Sequence, residues 1–266
     1  MKQVTVVIPN WNGSKYLEKC LDALLMQQGV FDVVVVDNGS TDGSVELLQD
    51  KYPQVKCILL NENTGFCHAC NEGMKASDTP YVLLLNNDTE VLPGFVENLV
   101  QAIEKDEKIF SVSAQMLQIQ NPELIDSAGD MYTIMGWGYS RGKGKTAEDY
   151  DKAVKIFSAC GGAAIYRKSI LEKIGFLDEN HFAYLEDCDL GYRAQIFGYR
   201  NYYTPKAVVK HAGSGVSGSM HNEFKVNLSS KNSVYLIYKN MPLLQILLNL
   251  PFLIPGFLVK YLFFVM

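Results

Sequence analysis

Tyr81-Val82-Leu83-Leu84-Leu85-Asn86-Asn87-Asp88-Thr89 runs from a stretch with the character of a fully buried strand straight into a short polar, acidic tip. A strand that is apolar at every position belongs inside a parallel sheet covered on both faces. The carboxyl edge of such a sheet is where open α/β folds bind their ligands. A carboxylate at that edge, Asp88, is placed to hold a divalent cation and a diphosphate. Taken alone, the tip fits an ordinary Asn/Asp turn equally well, and the surrounding segments decide between the two readings.

Upstream, Val4 to Ile8 is a continuous apolar strand, and Ser14 to Gln28 carries Tyr16, Leu17, Cys20, Leu21, Leu24 and Leu25 at helical spacing. Val33 to Val36 is again all apolar, and Asp42-Gly43-Ser44 precedes a helix through Leu47 and Leu48. Val55 to Leu60 then leads to a helical segment from Phe66 to Ala76, and Tyr81 to Leu85 leads to one from Phe95 to Ile103. Four strands, read as buried on both faces and alternating with helices, predict an α/β fold with a mostly parallel central sheet flanked by helices. Beyond Phe110 the rhythm is lost, and Gly129, Gly136, Gly138, Gly142 and Gly144 connect less regular strands. That half is expected to complete the sheet and shape an acceptor pocket. One domain over residues 1–240, followed by an apolar segment over 241–266, is the economical division.

With 266 residues, 48% of them hydrophobic, the chain can bury a sizeable core. A net charge of -5 and a pI near 5.4 argue against a nucleic-acid binder. The local basic run Arg141-Gly142-Lys143-Gly144-Lys145 reads either as a loop near an anionic ligand or membrane headgroups, or as a solvated charge run. The six cysteines lack the spacing of a disulfide framework, and Met1-Lys2-Gln3 leads directly into a strand, so a cytosolic chain with reduced thiols is expected. Cys67 and Cys70 could supply half of a zinc site, but no second pair has matching spacing, which favours packing. From Leu243 to Met266 the only charge is Lys260, and Pro251 and Pro255 interrupt the run. A membrane span, two short helices lying in a membrane face and a pair of core helices all fit. The pattern is still running at Val265-Met266, as expected of a chain that continues.

Four further segments carry chemistry. Val36-Asp37-Asn38-Gly39-Ser40-Thr41-Asp42 again sets a carboxylate at a strand end, where Asp37 can accept from a nucleobase imide or a ribose, while Asp42 suits a helix N-cap. Asn61 to Gly73 leads into a helix with Gly65 at its mouth, where free amides can face a phosphate. The glycine fingerprint of dinucleotide folds and the Walker lysine are both missing, which disfavours dehydrogenase and P-loop readings. Phe182 to Ala194 places Glu186, Asp187 and Asp189 at the start of a helix. Helix-dipole complementarity accounts for one or two of them, leaving one to aim into a pocket as a general base. Finally, Val208 to Ser217 brings His211 from a short strand into a Gly/Ser loop, as a ligand or as a structural residue.

Ile8-Pro9-Asn10-Trp11-Asn12, the Asp37 to Asp42 turn, Asn63-x-Gly65-Phe66-x-x-Ala69-x-Asn71-x-Gly73, Asn87-Asp88, Glu186-Asp187-x-Asp189-Leu190 and His211 form an ordered set. The set resembles family 2 glycosyltransferases of the GT-A fold, in particular the bacterial rhamnosyltransferase-type enzymes of cell-surface polysaccharide assembly, over about residues 3 to 240. The resemblance implies an inverting transfer of a sugar from a nucleoside-diphosphate donor, dTDP-L-rhamnose first and a UDP-hexose next, to a hydroxyl of a polysaccharide or lipid-linked glycan. By the same resemblance Pro9, Asn10, Asn12, Asp37, Asn38, Asn63, Gly65, Phe66, Asn71 and Asn87 form the nucleotide site. Asp88 and His211 would hold Mg²⁺ or Mn²⁺, and Asp187 is the base, with Glu186 positioning the acceptor or the base. Asn86 and Asn87 depart from the family's acidic element, which weakens the expected hold on metal without substrate. The implied location is the inner face of the cell membrane, with the apolar tail as a peripheral anchor. A catalytically silent sugar-nucleotide-binding subunit is the alternative. A nucleotidyltransferase would show a glycine-rich, basic signature that Ile8 to Lys15 lacks.

Overall fold

The computed structural model describes residues 2–213 and 222–265. The Gly/Ser stretch from Ser214 to Ser217 and the terminal Met266 lie outside the described residues. The first half alternates strictly: β1 (Val4–Asn10), α1 (Ser14–Leu25), β2 (Phe31–Asn38), α2 (Ser44–Lys51), β3 (Lys56–Leu60), α3 (Phe66–Lys75) and β4 (Tyr81–Leu85). β1 pairs in parallel with both β2 and β4, and β2 with β3. The strand order β3-β2-β1-β4 therefore reverses at β1, which opens a crevice at the carboxyl ends of β1, β2 and β4. Asn10, Asn38 and Asn86 all meet there because each ends or follows one of those strands.

Packing follows from the sequence. α1 buries Leu17, Cys20, Leu21 and Leu24 against one face of the sheet, and α3 buries Cys67, Cys70 and Met74 against the other. α3 lies close on β1 because residue 73 is glycine, since a Cβ there would stand 2.2 Å from Val7 Cγ1. Cys67 and Cys70 are thus core-facing, and burial pushes both thiols up. β3 departs from the expectation of burial on both faces. It is the outermost strand on its side, with Leu59 54% exposed.

The second half adds β5 (Thr89–Val91), α4 (Phe95–Ile103), β6 (Ile109–Gln118), β7 (Ile125–Ser127), β8 (Asp130–Tyr132), β9 (Gly138–Ser140), β10 (Val154–Ile156), β11 (Ala163–Arg167), α5 (Lys168–Ile174), α6 (Glu186–Ile196) and β12 (Arg200–His211). β11 enters antiparallel between β4 and β6, and β12 runs parallel to β6. The short strand expected at Val208 is the second half of the long β12. Its register shifts between Tyr203 and Val208, where Pro205 has no amide to donate to a ladder. This irregular strand carries His211 to the crevice.

Two helices follow, α7 (Glu223–Asn240) and α8 (Leu243–Val265). α8 continues through both prolines, where a break into two helices was one expectation. Pro251 and Pro255 are one turn apart and both exposed, so the amides they remove lie on one side and the opposite side of the helix carries through. The helix docks by a narrow strip: Leu253 and Gly256 are buried, and the Lys260 ammonium donates to Ser233 Oγ at 2.8 Å. Leu244, Leu247, Leu248, Ile254, Leu258 and Val259 are each more than half exposed. Among the described residues this is one helix long and apolar enough to cross a membrane, and 11% of its apolar window is buried. That low burial does not fit the core-helix reading.

Candidate active site

A cleft of about 390 Å³ occupies the crevice. Pro9, Asn10, Trp11, Asn38, Asn63 and Phe66 form one wall, and Asn86, Asn87 and Asp88 form the floor. Glu186 and Asp187 face it from α6 beside the aromatic rings of Phe182, Tyr184 and Phe224, and Asp126, Lys143 and His211 close one end.

The first wall is a chain of amides. Asn87 Nδ2 donates to Asn10 Oδ1 at 2.7 Å, and Asn10 Nδ2 donates to Asp37 Oδ2 at 2.8 Å. Asn38 Nδ2 donates to Asn63 Oδ1 and to the Gly65 carbonyl, both at 3.1 Å, while Asn38 Oδ1 accepts from the Thr64 amide and hydroxyl. These bonds tie the ends of β1, β2 and β4 to the loop before α3, which fixes the wall before any ligand binds.

Four residues expected on the nucleotide do not line the cleft. Asp37, 1% exposed, sits behind Asn10, and its other oxygen accepts the Ser40 amide. Asn12 uses its side-chain oxygen to accept the Thr41 amide, clamping two loops together. Gly65 lies under Phe182, with φ of 91°, and a Cβ there would stand 2.6 Å from the ring. At the mouth of α3 the Cys67 amide donates to the Phe182 carbonyl at 3.1 Å, so that amide is not free to face a phosphate. Asn71 is buried in α3 away from the cleft: its side-chain amide donates to the Leu177 carbonyl and Glu179 Oε1 and its oxygen accepts the Leu177 amide, so it braces the fold.

At the end of the cleft His211 Nε2 lies 3.1 Å from Asp88 Oδ1, and His211 Nδ1 lies 2.7 Å from Asp126 Oδ2. Burial works against a charged imidazole, but the two carboxylates outweigh it and His211 is pushed up to about 9. Asp126 also pairs with Lys143 at 3.1 Å, so the basic run sends one lysine to the cleft. Arg141 instead stacks over the Tyr150 ring. Once the imidazole gives up its Nε2 proton, a carboxylate oxygen and an imidazole nitrogen side by side, with a second carboxylate orienting the ring from behind, suit Mg²⁺ or Mn²⁺. Asp126 escaped sequence reasoning because nothing in Leu124-Ile125-Asp126-Ser127 marks it. Its place comes from β7 pairing with β6 beside the end of β12.

The other acidic group arrives through a strained turn. Phe182, Tyr184 and Leu185 all have positive φ (63°, 70° and 65°) without being glycine, a costly arrangement that its surroundings must hold. Asn232 of α7 does so, its Nδ2 lying 3.0, 2.9 and 2.8 Å from the carbonyls of His181, Ala183 and Tyr184. Glu186 and Asp187 then emerge at the first turn of α6. Burial foremost, then Asp187 and Asp189, pushes Glu186 up to about 8. Asp187 accepts the Gly161 and Cys188 amides at 3.1 and 2.7 Å. Asp189, the third acid, points away from the cleft and is fully buried against Arg193, Lys239 and Asn240.

The fold is of the GT-A type, a nucleotide-sugar transferase architecture with its acids at the crevice. The profile described as Glycosyl transferase family 2 matches residues 5–175, and the chain belongs to that family. It is similar to an N-acetylglucosaminyl-diphospho-decaprenol L-rhamnosyltransferase of Mycobacterium tuberculosis, 28% identical over 77% of this chain and 75% of that one. In structure it resembles GalNAc-T7 with UDP, GalNAc and Mn²⁺, at TM-score 0.71 and 16% identity over 90% of this chain and 48% of that one. It also resembles TarS 1-349 of S. aureus, at TM-score 0.62 and 19% identity over 98% of this chain and 72% of that one.

Proposed function

We propose that the chain is an inverting, metal-dependent transferase that moves a sugar from a nucleoside-diphosphate donor to a hydroxyl of a cell-surface polysaccharide or lipid-linked glycan. The supporting observation is one cleft with Asp88 and His211 at one side and Glu186 and Asp187 at another. Asp88 and His211 would hold Mg²⁺ or Mn²⁺, which when bound would supply charge neutralisation at the diphosphate leaving group. The amide wall of Asn10, Asn38 and Asn63, with Trp11 and Phe66, receives the nucleotide. Asp187 takes the acceptor proton as its oxygen attacks the anomeric carbon, and Glu186, held as the neutral acid by burial, donates to the acceptor oxygen or its neighbours. A single base serves a single displacement, so the anomeric configuration inverts.

The likeness to the mycobacterial rhamnosyltransferase makes dTDP-L-rhamnose the first donor to test and a UDP-hexose the second. The outward apolar face of α8 favours attachment to the cytoplasmic face of a membrane, close to a lipid-carried acceptor. Titration calorimetry of dTDP, UDP and GDP, each with Mn²⁺, with Mg²⁺ and with chelator, tests the site. Metal-dependent binding of dTDP or UDP supports the reading, and no binding of any of the three by folded protein refutes it in favour of an inactive scaffold or a site completed only by acceptor, partner or membrane.

A further inference from the structure

Asp130 opens β8 directly behind Asp187 and does not line the cleft. It is 8% exposed, and its backbone is fixed to Ser158 and Phe157. A carboxylate oxygen of Asp130, one of Asp187 and the Cys188 sulfur all lie within 4.8 Å of one another. Asp130 Oδ2 has no hydrogen-bond partner among the described residues. Two ionised carboxylates this close, one of them buried and with Glu186 adjoining, repel one another. A proton on Asp130 removes the repulsion and gives Oδ2 a bond to make.

We propose that Asp130 is a positioning residue which, as the neutral acid, donates a hydrogen bond to Asp187 and fixes the orientation of the base. The inference rests on the reading of Asp187 as the base. The groups that face Asp130 are Asp187, Glu186 and Cys188 of α6, Cys160, and the Ser140 hydroxyl. Burial, then Asp187 and Glu186, holds the Asp130 carboxyl well above the usual range, and the Ser140 hydroxyl acts weakly the other way. Burial also pushes the Cys160 and Cys188 thiols up. The trio therefore lacks the all-oxygen ligand set that Mg²⁺ prefers, and a shared proton accounts for it.

Two variants and one spectroscopic titration test this. D130A is expected to lower kcat about 10- to 100-fold, the usual cost of losing an orienting partner, while leaving the donor KM within about three-fold. D130N supplies an N–H donor in the same place and is expected to recover kcat to within about three-fold of wild type. Carboxyl ¹³C NMR of aspartate-labelled protein reads the proton directly, without activity. One aspartate signal is expected to remain in the protonated position at pH 7 and to vanish in D130N. The proposal is overturned if every aspartate signal is deprotonated at pH 7, if folded D130N is as impaired as D130A, or if D130N abolishes Mn²⁺ binding in the absence of nucleotide. If the wild type transfers no sugar from any donor, the base assignment falls, and the carboxyl titration alone decides the pair.

Discussion

Replacing Glu186 by Gln keeps the shape of the site and removes its ability to ionise. A free glutamate releases its proton near pH 4.3, whereas in the fold burial and the neighbouring acids hold the proton to about pH 8. Between those values the folded chain keeps a proton that the unfolded chain has lost. Wild-type stability therefore falls as pH rises, by at most about 1.4 kcal/mol per pH unit from this group. Integrated to pH 7, the loss approaches about 3 to 4 kcal/mol, and below pH 4.3 it vanishes. E186Q lacks this dependence. Urea unfolding of both proteins from pH 5 to 8.5 should show the stability of E186Q relative to wild type growing with pH and levelling above about pH 8. Because His211 is common to both proteins, its own pH dependence cancels in the difference. A constant difference across the range would mean that Glu186 is ionised in the fold, and the neutral-acid role would be abandoned.

Four other outcomes are expected. D187N should lower kcat about 10²- to 10⁴-fold with nucleotide affinity within a few-fold by calorimetry, and equal loss of both would reassign Asp187 to binding. D88A should remove the metal dependence of nucleoside-diphosphate binding, and an unchanged response to chelator would take Asp88 out of the site. N232A removes the two N–H donors that three carbonyls of the strained turn share, so urea unfolding should report a loss of about 2 kcal/mol at roughly 1 kcal/mol per bond; a negligible change would show that the turn holds itself. Leu248→Glu with Leu258→Glu on the outward face of α8 should abolish co-sedimentation with anionic phospholipid vesicles at an unchanged melting temperature. Persistent sedimentation would remove α8 from the membrane contact.

The fold was legible because the strands that decide it are apolar at every position and end in polar tips, a pattern that sets both their neighbours and the edge where ligands bind. The same pattern located Asn10, Asn38 and Asp88 without any pairing information. Asp126 and Asp130 were beyond it, and Lys143 was marked only as one member of the basic run from Arg141 to Lys145. Each lies in or beside strands of three residues, too short to carry periodicity, and reaches the site only through pairing of β7 with β6 and of β8 with β9. Asn71 lies away from the cleft for the opposite reason. It belongs to the same run of residues as the nucleotide wall, but on α3 it faces Leu177 and Glu179, and spacing along a chain does not report which side of a helix meets the ligand.

The amides at the floor show why the acidic element is altered in this chain. Asn10 has one acceptor and one donor end, and it accepts from Asn87 while donating to Asp37 and Ser40. Every bond in that relay has a donor facing an acceptor. A carboxylate at position 87 would set two acceptors against each other. Rotating the Asn10 amide to satisfy it would turn an oxygen toward Asp37, whose burial makes an uncompensated contact costly. The neutral residue at 87 and the carboxylate at 37 are thus coupled through one side chain, and the arrangement leaves Asp88 as the one carboxylate of the floor. What remains to hold a cation is Asp88 with His211, two ligands where Mg²⁺ or Mn²⁺ takes about six. The balance must then come from the diphosphate and water, so metal and donor are expected to bind as a unit and each to raise the affinity of the other.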